Sequence, residues 1–319
     1  MRRIALGCLC LMTLPLPLQA QAPLPRLPTE SVTVTTTRPS EAAIKDFIAT
    51  RAVPARVTGK LTRWRAGVCP QAIGLALKYV TYVERRLRDV AASVGAPVDN
   101  NPSCKPNVEV VFTTAPQELL NNVRANAEVY LGYHDNAAQG EKLATVSHPI
   151  QAWYTTATSD LRGNPQVDAG KAGGIVLDFL PLQAPDGGGV SAQPGVVQLN
   201  MPGATVRNVT GGRLGNGLSS ELANVLIVAE PAKLLDYEIG TLADYIAMLA
   251  LSQPASFDAC QDMPSISNLL AAGCSSTAHS ITDGDIAYLR GLYTMTPAAS
   301  LAVQRDEMRY RMVKDMEKR

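Results

Sequence analysis

Four cysteines outside an apolar N-terminal stretch place the strongest constraint on how this chain can fold. An even number of cysteines in an exported protein favours disulfides, and four cysteines allow three pairings. We predict Cys69–Cys104 and Cys260–Cys274, because the members of each pair lie within one region of the chain. A zinc site is the alternative use of these thiols, but their spacing contains no C-x-x-C motif.

Residues 1–20 have the pattern of a secretory signal peptide. Met1-Arg2-Arg3 precedes an apolar run from Ile4 to about Leu18, and small residues follow around Ala20. Cleavage after Ala20 would remove Cys8 and Cys10 with the signal peptide. The mature chain would then be nearly neutral, which argues against a nucleic-acid partner. No later stretch offers about 18 uninterrupted apolar residues, so no transmembrane span is expected in the mature protein. We therefore expect a periplasmic or secreted location.

The remaining sequence predicts an extended linker over residues 21–60 and one domain over residues 61–319. The linker contains frequent prolines. A Gly-rich stretch near residues 205–217 offers an alternative in which the domain is divided into two parts at this point. The hydrophobic spacing predicts helices and strands in a mixed order, which favours an α+β fold with a mixed sheet, packed helices and a helical C-terminal part. The predicted helices cover 71–94, 116–130, 218–229 and 239–251, with two more beginning near 282 and 297; the predicted strands cover 108–112, 149–158, 174–180 and 196–201.

Ionisable residues in unusual settings are weak catalytic candidates. His134 and His148 could meet a metal or a substrate, although a structural role is the more ordinary expectation for both. Asp244 lies in an apolar stretch and is either a buried functional acid or, with Thr241 three residues earlier, part of a helix cap. No local motif indicates a serine nucleophile, but partners of a Ser-His-Asp arrangement can be distant in sequence.

Two segments resemble parts of zinc peptidases of the zincin class. Ser220-Glu-Leu-Ala-Asn-Val-Leu226 resembles the active-site helix that carries HExxH, and Ile281–Tyr293 resembles the helix that closes many metzincin domains. Aligned on Glu221, the two histidine ligand positions hold Ser220 and Asn224, which are poor zinc ligands. A third ligand position falls on Glu230. The resemblance therefore implies a zincin-like scaffold that has the base position, Glu221, without a metal site or other cofactor.

The chain as a whole also resembles a family of exported alphaproteobacterial proteins. The segments that carry this resemblance are 104–114, 148–157, 221–228 and 243–252. It implies an envelope location and no particular activity. We expect a non-catalytic binding or scaffolding role toward an envelope protein or ligand. The alternative is a hydrolase acting on peptide or envelope polymer through Glu221, Asp244 or one of the histidines.

Overall fold

The computed structural model describes residues 39–160, 162–168 and 217–317 in full, and the backbone of residues 175–178 and 196–199. Internal contacts divide the chain after Thr37, and all of the described residues belong to the unit that follows. The predicted signal peptide, the first part of the predicted linker and nearly all of the sub-boundary near 205–217 lie outside the described residues.

The described residues contain both helices and strands, in mixed order along the chain. The helices are α1 Glu41–Arg51, α2 Leu77–Val94, α3 Pro116–Asn126, α4 Ala137–Leu143, α5 Ile239–Leu251, α6 Asp283–Thr294 and α7 Leu301–Glu317. The strands are β1 Thr62–Arg63, β2 Pro70–Ile73, β3 Val108–Phe112, β4 Ile150–Ser159, β5 Pro165–Val167, β6 Ile175–Asp178, β7 Val196–Leu199 and β8 Ser219–Ala229.

The main sheet is mixed, with strand order β2-β3-β8-β4-β5, and β6 and β7 form a separate antiparallel pair. Strands β2, β3 and β8 run parallel, whereas β4 is antiparallel to both β8 and β5. Strand β1 pairs in parallel with the first residues of β8, on the same edge as β3 and before the point where β3 begins. Helices pack on both faces of this sheet, so the predicted α+β class with a mixed sheet is confirmed.

Strand β8 replaces a helix that the sequence predicts over residues 218–229. Its register against β4 shifts between Leu222 and Asn224, so Ala223 is an extra residue and forms a bulge. The bulge reverses the alternation of side chains. Leu222 and Val225 therefore both join the apolar core that contains α2 and α5, while Leu226 joins the core on the α3 face. Because both faces are covered, the strand is almost continuously buried and its residues 225–229 are all apolar, so its sequence lacks the alternation that marks a half-buried strand.

The predicted extended linker is wrong for residues 41–51, which form helix α1. Ser40 caps this helix, since its hydroxyl accepts the backbone N–H of Ala43. Ile44, Phe47 and Ile48 are buried in the larger of the two apolar cores. A short helix flanked by prolines gives little periodic signal, so its docking depends on contacts with distant parts of the chain.

The predicted helix over residues 71–94 is shorter than expected, because β2 occupies its first residues. Gly74 makes the turn between them, with φ at +91°. A Cβ atom at this position would lie 1.9 Å from the carbonyl oxygen of Phe112, so the close approach of the two strand ends requires glycine. Helix α2 then ends at Gly95, which adopts the left-handed conformation.

Both predicted disulfides are present. Cys69 and Cys104 join the start of β2 to the loop before β3, and Cys260 and Cys274 close a loop between α5 and α6. Elsewhere, the predicted strand at 108–112, the helix at 239–251 and the capping box at Thr282 are confirmed. Among the helices of the described residues, none combines the length and the apolar composition needed to cross a bilayer.

The outer edge of the sheet at β2 is covered by side chains of helix α2. Glu84 Oε1 accepts the backbone N–H of Ala72 at 2.8 Å, and Arg88 Nη2 donates to the carbonyl oxygen of Pro70 at 3.4 Å. An edge strand normally leaves such groups free to pair with another strand. In this protein the helix that follows β2 engages both of them.

Asn268 organises the loop closed by the second disulfide and ties it to helix α1. Its Oδ1 accepts hydrogen bonds from Arg51 Nη2 and from the backbone N–H of Gln261, at 3.2 and 3.0 Å. Its Nδ2 lies 2.9–3.2 Å from the carbonyl oxygens of Gln261, Met263 and Ser276. The residue is fully buried, so its removal leaves these polar groups without water as a substitute.

We predict that Asn268→Ala lowers the free energy of unfolding by about 3 kcal/mol, because several buried donors and acceptors lose their partner at once. Asn100→Ala, at an exposed position, is the matched control and should change stability by less than about 0.5 kcal/mol. Urea unfolding of the oxidised protein measures both. Equal midpoints for the two variants would contradict a central role for Asn268.

Candidate functional site

Glu221, the base-like residue of the zincin resemblance, lies near the start of β8 and is ion-paired. Its Oε2 is 3.6 Å from Nε of Arg65, which follows β1, and its side chain is only 12% exposed. Burial raises the pKa of Glu221, and the positive charge of Arg65 opposes that rise. The carboxylate thus holds Arg65 in place at the end of the β1–β8 pair.

Ser220 and Asn224 do not share a surface, contrary to what the helical resemblance requires. Residues four apart lie on one face of a helix, but the bulge in β8 places these two on opposite faces of the sheet. The hydroxyl of Ser220 contacts that of Thr58, and Asn224 Nδ2 donates to Glu109. Among the described residues, no group of three or more His, Cys, Asp or Glu side chains is arranged to hold a metal ion.

Asp244 is an internal anchor of the helical layer. Its Oδ1 lies 2.5 Å from Nε of Arg86 on α2, and its Oδ2 accepts the backbone N–H of Ile281 at 2.9 Å. This contact raises the pKa of Arg86 above its ordinary value. The expected helix cap at Thr241 is wrong, because α5 begins at Ile239 and the hydroxyl of Thr241 donates to the carbonyl oxygen of His279. Asp244 therefore joins α2, α5 and the approach to α6.

His134 lies in a loop and makes only local contacts. Its Nδ1 is 3.0 Å from the carbonyl oxygen of Gly132, and its Nε2 is 3.2 Å from Glu128 Oε1. The neighbouring Asp135 pairs with Arg56. These contacts fix the loop between the short 3₁₀ helix at Glu128–Leu131 and α4.

His148 forms the centre of a hydrogen-bonded row that the sequence did not single out. Its Nδ1 lies 2.8 Å from Ser147 Oγ, and its Nε2 lies 2.8 Å from Asp258 Oδ1. The imidazole ring also packs against Phe257, with ring centroids 5.2 Å apart. Serine, histidine and aspartate in this order form the chain of groups used by serine hydrolases. Asp258 is 110 residues from His148, so no local pattern connects them.

This row stands at the edge of the sheet where the parallel strands end. The backbone N–H of Thr113, after β3, donates to Ala229, and that of Glu230, after β8, donates to Pro149. Ligands of open α/β sheets bind at this edge, outside the carboxyl ends of the strands. Glu221 lies at the opposite end of β8: its partner Ala157 is nine residues from His148 along β4, about 30 Å at the usual strand rise. The structure therefore does not bring Glu221 and His148 together.

A cleft of about 240 Å³ lies beside the other end of β8. It is lined by Arg63, Trp64, Arg65, Gly95, Pro97 and Tyr293. Arg63 Nη1 donates to the carbonyl oxygens of Leu292 and Tyr293 at the end of α6. Burial lowers the pKa of Arg63, and the nearby charge of Arg65 lowers it further. The sequence analysis missed these two arginines, although an R-W-R triplet beside a buried strand was a signal that it could have used.

A second cavity, of about 310 Å³, lies between the end of β8 and the start of α5. It is lined by Asp236, Tyr237, Glu238, Thr241 and His279. Neither this cavity nor the cleft at Arg63 has Glu221, Asp244, His134 or His148 in its lining.

Glu109 is a buried acid in the middle of the sheet. It lies on β3 with an exposed fraction of 6% and accepts hydrogen bonds from Tyr130 Oη at 3.0 Å and Asn224 Nδ2 at 3.3 Å. Burial raises the pKa of Glu109 to about 7, although the two hydrogen bonds act in the opposite direction. A lone acid within the otherwise apolar strand 108–112 was a sequence signal for such a group.

We predict that Glu109→Gln stabilises the protein at pH 8 and has little effect at pH 4.5. The acid ionises above about pH 4.5 in the unfolded chain but only near pH 7 in the folded one, so its ionisation destabilises the fold as pH rises between these values. The difference above pH 7 should be about 3 kcal/mol. Thermal unfolding of both proteins from pH 4.5 to 8 measures it. If the unfolding temperatures of the two proteins differ by the same amount at every pH in this range, Glu109 ionises at its ordinary pKa and the prediction is wrong.

Protein-family models, curated proteins and solved structures were compared with this chain, and none matches it. The geometry of the described residues therefore carries the functional argument. Of the sites above, the cleft at Arg63 and Arg65 combines charge with an open volume, and the row at His148 combines a nucleophile with a base.

Proposed function

We propose that the protein is an exported envelope protein that binds a ligand without catalysis, in the cleft between β1, α2 and α6. The observation that carries this proposal is the pair of guanidinium groups in the wall of that cleft. The nearest acid, Glu221, is engaged by Arg65. Neither the serine nor the histidines at the other sites described above line the cleft. Such a site offers recognition by charge and shape but no nucleophile.

The contacts of Glu221 and Asp244 support a binding role over the catalytic one that the sequence left open. A general base must reach the proton it removes, directly or through one water. Asp244 uses both carboxylate oxygens within the helical layer, and Glu221 faces Arg65. Export is supported by the two disulfides, because such bonds persist in oxidising compartments and are rare in the cytosol.

We predict that the protein, produced in an oxidising compartment and incubated with envelope extract, retains a ligand after gentle desalting. The Arg65→Glu variant should not retain it, because this change reverses the charge of the exposed arginine in the cleft. Native mass spectrometry measures the mass of ligand bound to each protein. Arg124→Glu is the control, because Arg124 is also an ion-paired arginine of similar exposure, 41% against 43% for Arg65. The same retained mass in all three proteins, or none in the wild type, would contradict binding in this cleft.

A second candidate function, hydrolysis of an ester or amide, is favoured by the row Ser147–His148–Asp258. Asp258 accepts the Nε2 proton, which leaves the Nδ1 lone pair of His148 free to take the proton of Ser147. The ring nitrogens are used in the opposite order from that in serine proteases. Gln151 Oε1, 3.4 Å from Ser147 Oγ, is a competing acceptor for the serine proton.

The second candidate predicts that a fluorophosphonate probe labels Ser147 and that Ser147→Ala or His148→Ala removes both the label and any hydrolysis of p-nitrophenyl esters. A loss of at least about a hundredfold is expected when a general base or nucleophile is removed. Ser103→Ala, at an exposed position, is the control. If Ser147 stays unlabelled in the folded wild-type protein, the three residues have only a structural role, which is to connect the start of β4 to the loop that contains Asp258.

A further inference from the structure

Arg63 and Arg65 lie two residues apart on and just after β1, and both line the open cleft. Arg63 has no carboxylate within 4.0 Å among the described residues, and its neighbour Arg65 has one, Glu221, at 3.6 Å. Burial is the main cause of the lowered pKa of Arg63, and repulsion between the two like charges adds to it. Glu221 is thus the carboxylate within 4.0 Å of this arginine pair among the described residues, while Asp168 lies near enough to Glu221 to raise the pKa of that acid further.

The hydrogen-bonding capacity of the cleft is concentrated in these guanidinium groups. Trp64 Nε1 already donates to the carbonyl oxygen of Ala250, and Tyr293 Oη donates to that of Leu251. Arg63 uses only Nη1, so its Nε and Nη2 make no hydrogen bond with the described residues. The donors left for a ligand are thus almost all charged, which favours an anion over a neutral polar molecule.

The end of helix α6 would disfavour an anion if its carbonyl groups were free, because a helix C-terminus carries partial negative charge. Arg63 neutralises that end by donating to Leu292 and Tyr293. At the end of α2, Arg290 similarly donates to the carbonyl oxygen of Ser93, at 3.2 Å from both Nε and Nη2. At both helix ends that border the cleft, an arginine therefore offsets the partial negative charge of the terminal carbonyl groups.

We propose that Arg63 and Arg65 bind an oxyanion group, a phosphate or a carboxylate, of the envelope ligand in this cleft. The planar guanidinium matches such groups with two parallel hydrogen bonds. A volume of about 240 Å³ admits one such group with its immediate substituent, since pockets for whole drug-sized ligands have about 300–1,000 Å³. This inference rests on the proposed binding function and specifies the chemistry of its ligand.

Trp64 borders the cleft from the core, with a side chain that is 1% exposed, and its fluorescence is the first readout of binding. The chain has two tryptophans, so Trp153→Phe leaves Trp64 as the sole indole reporter. Inorganic phosphate and acetate are the probes, each titrated at constant ionic strength against sodium chloride. Thermal shift of the otherwise native chain in the same buffers is the second measurement, which does not require the Trp153 variant.

We expect a saturable change in Trp64 fluorescence with at least one of the two anions, and the anion that gives it identifies the group. Arg65→Gln should weaken binding about tenfold to a hundredfold, as expected for loss of hydrogen bonds to a charged group. Arg65→Lys should retain part of the affinity, since it keeps the charge without the planar fork. Arg124→Gln should bind like the wild type.

No saturable response to either anion, or equal affinity in the Arg65→Gln protein, would overturn this inference. The outcome is separable from that of the proposed function. Retention of an envelope ligand that depends on Arg65, together with no response to phosphate or acetate, would keep the binding function and exclude the oxyanion group. Loss of both would remove the cleft as a site.

Discussion

Pairing along both edges of strand β8 is the constraint on which the rest of the structure depends. Strands β1 and β3 share one edge of it, and β4 covers the other along its whole length. Strand β1 is only two residues long; this pairing sets its register, and the flanking Leu61 and Trp64 are buried in the larger core. The register that sets Arg63 opposite Glu221 consequently also places Arg65 beside the Glu221 carboxylate and aligns both arginines with the cleft. A shift of one residue would turn every side chain of β8 to the other face.

The sequence could predict the elements whose signals are local. The apolar spacing of α5, the capping box of α6 and the buried strand β3 were all recognisable, as was the pairing of cysteines that lie close in the chain. The prediction of a helix over residues 218–229 was wrong for a physical reason. A central strand with two covered faces is similar in composition to a buried helix, and the bulge interrupts the remaining alternation of side chains. Helix α1 was not predicted because its stability comes from packing against residues that are distant in the sequence.

Prediction of the candidate sites was poorer than prediction of the fold, since each site joins segments that are far apart. Asp258 reaches His148 across 110 residues, and the cleft unites residues from β1, α2 and α6. Glu221 stood out through the zincin-like segment and Asp244 through its apolar stretch; both side chains are largely buried, and each is paired with an arginine. A charge taken out of water is costly unless it is paired. Both acids therefore form structural ion pairs, while Arg65, next to Trp64, gave no sequence signal that we used although its side chain is 43% exposed.

The covered edge of β2 has a consequence for the protein among its neighbours. Glu84 and Arg88 engage backbone groups that a foreign strand would need, so another chain cannot extend the sheet from that side without first displacing the α2 side chains. Such shielding limits edge-to-edge pairing with any chain that exposes an unpaired strand. The helix whose capping residue, Gly95, lines the cleft therefore also covers the outer edge of the sheet with its side chains.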